Sequence, residues 1–266
     1  MPTVENQAEI TEEQQELLEA AERLEHAAPQ EILRWAVERY RPQPKVPGAG
    51  GIVLACSFGM QSVVCIDMLA QQDLLKDVEV FYLDTGVLFP ETHQTRLRIQ
   101  EKYGFRAVRV ATDLTWEQQQ KQHGGHLYER GREGVDQCCH IRKVEPQRRY
   151  LQGKSAWITG MRRNHNRTRA EMPVVMWDQV NQCAKINPMA LVDDKTLWGY
   201  IKANEVPYNP LYDQGYPSIG CNTPVCTRPV TPGEDARAGR WAGLGKTECG
   251  IHLDGAQIKS LDSSQL

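Results

Sequence analysis

The chain has 266 residues, a formal net charge of −3 and 40% hydrophobic residues. This length and apolar content allow one sizeable α/β core, and the near-neutral charge gives no basic field for non-specific binding of nucleic acid. No stretch approaches the roughly 18 apolar residues of a membrane span, and the polar Met1–Gln14 segment lacks the pattern of a signal peptide. We therefore expect a cytoplasmic protein with neither a membrane segment nor a nucleic-acid partner.

The N-terminal region has a helical pattern. Thr11 is placed to cap a first helix, in which Leu17, Leu18, Ala21 and Leu24 recur at helical spacing. A second helix is predicted from Gln30 to Tyr40, before a linker rich in Pro and Gly over residues 41–51. We predict a helical lead-in over residues 1–45, a main domain over 46–254 and a polar tail over 255–266.

The main domain alternates strand and helix patterns, which indicates an α/β fold with a parallel twisted sheet flanked by helices. A helix is predicted from Pro90 to Tyr103, and the chain becomes irregular from Asn209 onward. Ligands of such sheets bind at the carboxyl ends of the strands. The predicted strands are 51–57, 78–83, 107–111, 155–159 and 185–191.

Two strand ends carry candidate nucleotide-binding loops. In Ser57-Phe-Gly-Met-Gln-Ser62, hydroxyls and the backbone N–H groups of a helix N-terminus form an anion site. In Leu83-Asp-Thr-Gly86, the side chains and the backbone are suited to a ribose or a base. An ordinary turn is the alternative for each loop.

Arginines form a third candidate site. Arg162, Arg163, Arg167 and Arg169 directly follow the fourth predicted strand, and the pair Arg237 and Arg240 lies upstream of the last cysteine. Arginine binds phosphate or sulfate bidentately, so an anionic substrate could lie between these two groups. A solvated charged loop is the alternative.

The eight cysteines divide into three sets. Cys56, Cys65 and Cys183 lie in apolar runs and are expected to be buried core residues. Two pairs, Cys138-Cys139 and Cys221 with Cys226, can supply four thiolates to a zinc ion or an iron–sulfur cluster. The tandem pair favours a [4Fe–4S] cluster, and Lys143 is placed to make a charge contact with sulfur.

Cys249 stands alone in Lys246-Thr-Glu-Cys-Gly-Ile-His252. A nearby cation lowers the pKa of a thiol, so Cys249 is a candidate nucleophile. Gly243, Gly245 and Gly250 predict a mobile catalytic tail over residues 241–254, able to visit both a substrate and a reducing partner. A fifth metal ligand or an inert thiol is the alternative.

These segments together resemble the adenylylsulfate (APS) and phosphoadenylylsulfate (PAPS) reductase family. The motifs are the loops at Ser57–Ser62 and Leu83–Thr92, Gly160 with the arginines after it, and the terminal Lys246–Leu253 segment. The resemblance implies an adenine-nucleotide α-hydrolase-like fold, an S-sulfocysteine intermediate on Cys249 and thioredoxin or glutaredoxin as reductant. It also implies substrate-binding roles for Ser57, Gly59, Ser62, Leu83, Thr85, Gly160, Arg169, Arg237, Arg240 and His252.

The paired cysteines make the chain most similar to the iron–sulfur APS reductases. That similarity implies Cys138, Cys139, Cys221 and Cys226 as ligands of a [4Fe–4S] cluster, although four residues instead of two separate the second pair. We expect adenylylsulfate as substrate in assimilatory sulfate reduction, with a homo-oligomer as one possible assembly. The alternatives are a PAPS reductase, which the loop Phe58-Gly-Met-Gln61 favours, a zinc-binding nucleic-acid module and a nucleotidyl transferase.

Overall fold

The structure is a computed structural model that describes residues 10–42, 50–165 and 169–252. A six-stranded sheet carries helices on both faces. The helices are α1 Glu12–Leu24, α2 Pro29–Tyr40, α3 Met60–Gln71, α4 Pro90–Tyr103, α5 Trp116–His123, α6 Gly131–Cys139, α7 Glu145–Leu151 and α8 Asp194–Ala203. The strands are β1 Ile52–Ala55, β2 Glu79–Leu83, β3 Val108–Val110, β4 Ala156–Ile158, β5 Val175–Asp178 and β6 Cys183–Ile186.

The strand order is β3-β2-β1-β4-β6-β5, and every neighbouring pair is parallel except β5 with β6. The α/β fold with a largely parallel sheet is therefore confirmed. Chain order reverses between β1 and β4, and this reversal leaves a crevice at the carboxyl ends of those two strands. The fold thus places a ligand site beside residues 56–59 and 159–161.

Alternating side chains of β1 supply both faces of the sheet. Ile52 and Leu54 join the larger apolar core, which α1, α2, α3 and α8 cover, whereas Val53 joins the smaller core with Phe81 and Trp157. Successive strand residues point to opposite faces, so a strand covered on both faces is apolar throughout. This explains why β1 forms a continuous apolar run in the sequence.

The predicted helical lead-in packs directly on the sheet domain. Thr11 caps α1 in a capping box with Gln14, as its sequence predicts. Helix α1 lies against the edge strand β5, and α2 lies against α3. The boundary predicted at residue 45 falls in residues 43–49, outside the described ranges, as do residues 1–9 and the polar tail.

At the far edge of the sheet, one predicted strand has different bounds and one strand has no counterpart in the sequence prediction. The strand predicted at 185–191 is β6, which ends at Ile186, because residues 188–191 form a turn in which the Ala190 N–H donates to the Asn187 carbonyl. The antiparallel strand β5 was not predicted at all. It joins β6 through a short turn, in which the Asp178 carboxylate accepts the N–H groups of Val180 and Asn181.

None of the helices within the described ranges has the length and apolar content that crossing a bilayer requires. The three cysteines expected in the core, Cys56, Cys65 and Cys183, are all buried.

Candidate active site

A cavity of about 240 Å³ opens at the carboxyl ends of β1, β2 and β4. Tertiary folding brings every predicted substrate-binding residue to its lining, together with Cys249 and Lys143. The predicted residues that line it are Ser57, Gly59, Ser62, Leu83, Thr85, Gly160, Arg169, Arg237, Arg240, His252, Cys249 and Lys143.

The loop after β1 turns sharply into α3. Phe58 has a positive φ of 55° although it is bulky and only 1% exposed, a conformation that costs free energy and often marks a functional site. The turn lets the Gly59 N–H approach the Ser57 hydroxyl at 3.4 Å, and the Ser62 hydroxyl donates to the Gly59 carbonyl at 3.0 Å. Hydroxyls and the N-terminus of α3 therefore face the cavity together, as an anion site requires.

The loop after β2 presents its backbone and Thr85 to the cavity. The carbonyl of Thr85 accepts a hydrogen bond of 2.8 Å from Arg142, and the Thr85 hydroxyl lies 3.5 Å from the Cys221 sulfur. Asp84, which was expected to help hold a ribose or base, does not line the cavity and instead pairs with Arg109 at 2.6 Å. Burial raises the pKa of Asp84, but Arg109 and the Gly86 amide outweigh it and lower the pKa overall.

Gly160 closes the gap between β4 and α3. A Cβ at this position would lie 2.9 Å from the Cβ of Gln61 and 3.4 Å from the Ser62 nitrogen. A side chain at 160 would therefore push into the loop after β1, which explains why glycine occupies this strand end.

The arginines divide between the cavity and the surrounding structure. Arg169, Arg237 and Arg240 line the cavity. Arg162 and Arg163, in contrast, do not: Arg162 pairs with Asp194 at 2.6 Å, and Arg163 pairs with Glu25 at 2.5 Å. The expected four-arginine anion site is therefore wrong for these two positions, and Arg167 lies outside the described residues.

The segment that carries Cys249 lies across the cavity and is held by its backbone carbonyls. Arg237 donates to the Thr247 carbonyl at 2.8 Å, Gln147 to Ile251 at 3.0 Å and Lys185 to His252 at 3.2 Å. Lys143 and Arg237 both interact electrostatically with the Cys249 thiol. The cavity thus brings the candidate nucleophile together with two basic side chains.

His252 forms the end of this described segment. Its ring stacks on Trp157 with centroids 5.6 Å apart and an interplanar angle of 12°. Burial, followed by the charges of Lys185, Arg169 and Arg237, lowers the pKa of His252 well below 6.5. Its Nδ1 is buried without a hydrogen-bond partner among the described residues. At neutral pH the ring is therefore uncharged and has a polar atom available for a ligand.

The two cysteine pairs lie together beneath the cavity. Cys139, Cys221 and Cys226 share a buried cluster with Trp241, and Cys138 is near enough for the thiols of Cys221 and Cys226 to raise its pKa, after the larger effect of burial. Within the described ranges, no three His, Cys, Asp or Glu side chains converge closely enough to hold a single metal ion. A polynuclear cluster fills the space between its thiolates, so its ligands stand further apart.

Lys143 lies among these sulfurs. It belongs to a π-helical turn, His140–Val144, that directly follows the tandem cysteines. Burial lowers the pKa of Lys143, but Cys221, Cys139 and Cys249 together outweigh burial and raise it above its ordinary value. Lys143 in turn is the main group that brings the pKa of Cys221 below its ordinary value against the effect of burial.

The surroundings of the four thiols fit an iron–sulfur cluster. The indole N–H of Trp241 is buried beside them without an acceptor among the described residues, and the hydroxyl of Thr227, the residue after Cys226, is also buried without a partner there. Buried polar groups are normally hydrogen-bonded, and sulfide or thiolate sulfur would accept from both. Four thiols with a neighbouring cation and two unpaired donors match the donor set of a [4Fe–4S] site.

Four functional candidates were missed from the sequence. Arg142, in the π-helical turn after the tandem cysteines, donates to the Thr85 carbonyl, and Trp241 is packed against the cysteines. The Tyr212 hydroxyl accepts from the Met60 N–H at 3.1 Å, at the start of α3. Glu248 pairs with Arg169. Only Glu248 had a sequence signal, since it directly precedes Cys249.

The chain is similar to one family of known proteins. Residues 51–229 match the family model described as the phosphoadenosine phosphosulfate reductase domain. The chain is 42% identical over 222 residues to adenosine 5′-phosphosulfate reductase 1 of Bacillus subtilis, covering 83% of this chain and 89% of that protein. It is 39% identical over 253 residues to a phosphoadenosine 5′-phosphosulfate reductase of Gloeobacter violaceus, covering 95% of this chain and 100% of that protein.

Solved structures of other proteins share the fold of this chain. A phosphoadenylyl-sulfate reductase of Candida auris, crystallised as a phosphate complex, superposes with a TM-score of 0.65 at 28% identity, covering 80% of this chain and 97% of that one. The FMN adenylyltransferase of Candida glabrata has a TM-score of 0.54 at 11% identity, covering 94% of this chain and 81% of that one, which shows a shared fold alone. The family model covers all six strands and the strand-end loops, and the chain belongs to the phosphoadenosine phosphosulfate reductase family.

Proposed function

We propose that this protein reduces adenylylsulfate to sulfite and AMP, with Cys249 as the nucleophile. The observation that carries the proposal is the position of Cys249 in the same cavity as the two strand-end loops and Arg169, Arg237 and Arg240. The sequence identity to adenosine 5′-phosphosulfate reductases supports adenylylsulfate as the substrate.

In the first step, the Cys249 thiolate attacks the sulfur of the phosphosulfate group. A bond forms between Sγ and that sulfur, the bond from sulfur to the bridging oxygen breaks, and AMP leaves with the electron pair. The product on the enzyme is S-sulfocysteine. The arginines that line the cavity neutralise the charge that grows on the leaving phosphate, and the N-terminus of α3 contributes further positive potential.

In the second step, a thiolate of a dithiol protein attacks Sγ of Cys249. Sulfite departs and a mixed disulfide remains, which the second thiol of the partner resolves to regenerate the Cys249 thiolate. The dithiol supplies both electrons. We propose thioredoxin or glutaredoxin as this partner, in the cytoplasm, and a homo-oligomer as one possible assembly of the enzyme.

Cys138, Cys139, Cys221 and Cys226 are the residues that would hold a [4Fe–4S] cluster, with Lys143 between them and the cavity. When bound, the cluster would supply electrostatic tuning of the site instead of electrons, since the dithiol already provides two. Lys143 is the group that would transmit this tuning, because it interacts with both the cysteine cluster and Cys249.

A PAPS reductase remains the second candidate function, because the Gloeobacter violaceus relative bears that name. A zinc-binding nucleic-acid module and a nucleotidyl transferase give Cys249 no role in the cavity. The likeness to FMN adenylyltransferase lies in the fold alone.

The decisive experiment compares sulfite release from adenylylsulfate and from its 3′-phosphorylated form, with thioredoxin, and measures iron in the same sample. We expect turnover of adenylylsulfate and loss of turnover in Cys249→Ser. Cys183→Ser, a buried cysteine outside the cavity, is the matched control and should remain active. Preferred turnover of the 3′-phosphorylated substrate, or an active Cys249→Ser, would contradict the proposal.

A further inference from the structure

The charges that line the cavity are unequal. Lys143, Arg169, Arg237 and Arg240 are cations, and among the described lining residues Glu248 is the single carboxylate. A site for an anionic substrate gains nothing from a carboxylate in its lining, because like charges repel strongly in a desolvated pocket. Glu248 therefore needs a role that removes it from the substrate's path.

The Glu248 carboxylate occupies the Nε and Nη2 side of the Arg169 guanidinium. The Arg169 Nε and Nη2 atoms each lie 2.6 Å from one of the two Glu248 oxygens. The two side chains are only 9% and 10% exposed. This is the bidentate geometry with which arginine binds a carboxylate, a sulfate or a phosphate. Glu248 thus stands where an oxyanion of the substrate would contact Arg169.

The position of Glu248 in the chain links this pair to the nucleophile, since Glu248 directly precedes Cys249. Two further contacts hold the same segment from the other side: Lys246 pairs with Asp136 of α6, and Arg132 donates to the Gly245 carbonyl at 2.9 Å. The segment can therefore release Arg169 while it stays attached to α6.

We infer that Glu248 is an internal competitor for the anionic group of the substrate at Arg169. The phosphosulfate replaces the carboxylate on the arginine, and this exchange shifts Cys249 from its resting position to the one from which it attacks. Glu248 is a positioning residue, because it acts through Arg169 and through its bond to Cys249. The inference rests on the proposed function and adds to it the group that the substrate must displace.

The experiment measures adenylylsulfate binding by calorimetry in a Cys249→Ser background, where turnover cannot occur. Glu248→Gln keeps the shape of the side chain and removes its charge. We expect the dissociation constant for adenylylsulfate to fall about tenfold, the worth of one hydrogen bond to a charged group. Glu234→Gln is the matched control, because Glu234 also pairs with an arginine, Arg228, but lies outside the cavity. It should leave the dissociation constant unchanged.

An unchanged or weakened affinity in Glu248→Gln would overturn the inference, as would equal tightening in Glu234→Gln. If Cys249→Ser fails to bind adenylylsulfate while its circular dichroism stays native, the proposed function fails and the inference falls with it. Should Glu248→Gln not fold, Glu248→Asp takes its place. That variant keeps the charge but shortens the reach, so a smaller tightening is expected, and no change at all would again overturn the inference.

Discussion

The two halves of the cavity are built in different ways. The loops after β1, β2 and β4 hold their shape through the sheet, tight turns and short backbone contacts, such as the Ser62 hydroxyl on the Gly59 carbonyl. The opposite wall, residues 216–252, has no helix or strand longer than a short turn among its described residues. It is held by arginine and lysine side chains that bind its carbonyls, and by the Arg169–Glu248 pair.

This difference separates the binding of the nucleotide from the reaction of the Cys249 thiol. A rigid strand-end surface keeps its donors in place without cost when the nucleotide arrives. The thiol, in contrast, must reach first the substrate and then a protein partner, so it lies on a segment whose contacts can be exchanged. The following predictions test whether the rigid and the adjustable half respond as differently as their structures indicate.

The largest effect is expected beneath the adjustable half. Cys139→Ser removes one of four proposed cluster ligands, so we expect the purified protein to lose its iron and its visible absorption. Iron analysis and the absorption spectrum check this outcome. Cys183→Ser, which alters a cysteine of the smaller apolar core, should keep wild-type iron. Wild-type iron in both variants would exclude Cys139 as a ligand.

The rigid half is tested by Gly160→Ala. The added Cβ meets Gln61 at 2.9 Å and pushes into the loop after β1, which faces the cavity. Overpacking of this kind costs about 1–3 kcal/mol of free energy. We expect AMP to bind about tenfold more weakly, as measured by calorimetry. Gly199→Ala on α8 is the control, because its Cβ would meet nothing within 4 Å. Equal AMP affinity in wild type and Gly160→Ala would show that the loop after β1 can adjust.

The pH dependence of folding stability tests how His252 holds the adjustable half of the cavity in place. Its pKa lies well below 6.5 in the folded protein, so below that pH the unfolded chain binds more protons. His252 therefore contributes stability that is present above pH 6.5 and is lost as the pH falls through 6.5 toward the folded pKa.

We expect His252→Phe, which can still stack on Trp157, to lose less thermal stability than wild type between about pH 8 and about pH 5.5. The difference in the fall of Tm should be roughly 2–4 °C, equivalent to about 1 kcal/mol. Thermal unfolding followed by circular dichroism measures it. Parallel falls in the two proteins would show that His252 does not titrate with folding.

The smallest effect is expected at the outer contact of the tail. Asp136→Asn weakens the pair with Lys246, in which Lys246 is 5% exposed but Asp136 is 39% exposed. A partly exposed pair contributes about 1 kcal/mol or less. Hydrogen exchange at residues 245–250 should therefore accelerate measurably, by up to about fivefold. Glu133→Gln, an exposed change on the same helix, should have no effect, and equal exchange in all three proteins would refute a role for Asp136.

Local patterns in the sequence predicted the elements that depend on neighbouring residues. Helix α4 has the predicted bounds, Pro90–Tyr103, because Pro at its first turn and Gly104 after its end are local signals. The buried parallel strands were found because strands covered on both faces form continuous apolar runs. The edge strand β5 was missed because its pairing partner and its cover, α1, are set by the tertiary fold.

The sequence by itself determined the chemistry that is available: a solitary thiol, two cysteine pairs, a strand-end anion loop and a supply of arginines. Only the tertiary structure decided which arginines face the cavity. Arg162 and Arg163 bind acids outside its lining, whereas Arg169 and its partner Glu248 both line it. The physical reason is the separation along the chain of the residues that interact. Turns and helix caps depend on residues a few positions apart, whereas an ion pair depends on which side chains the packed sheet brings within reach.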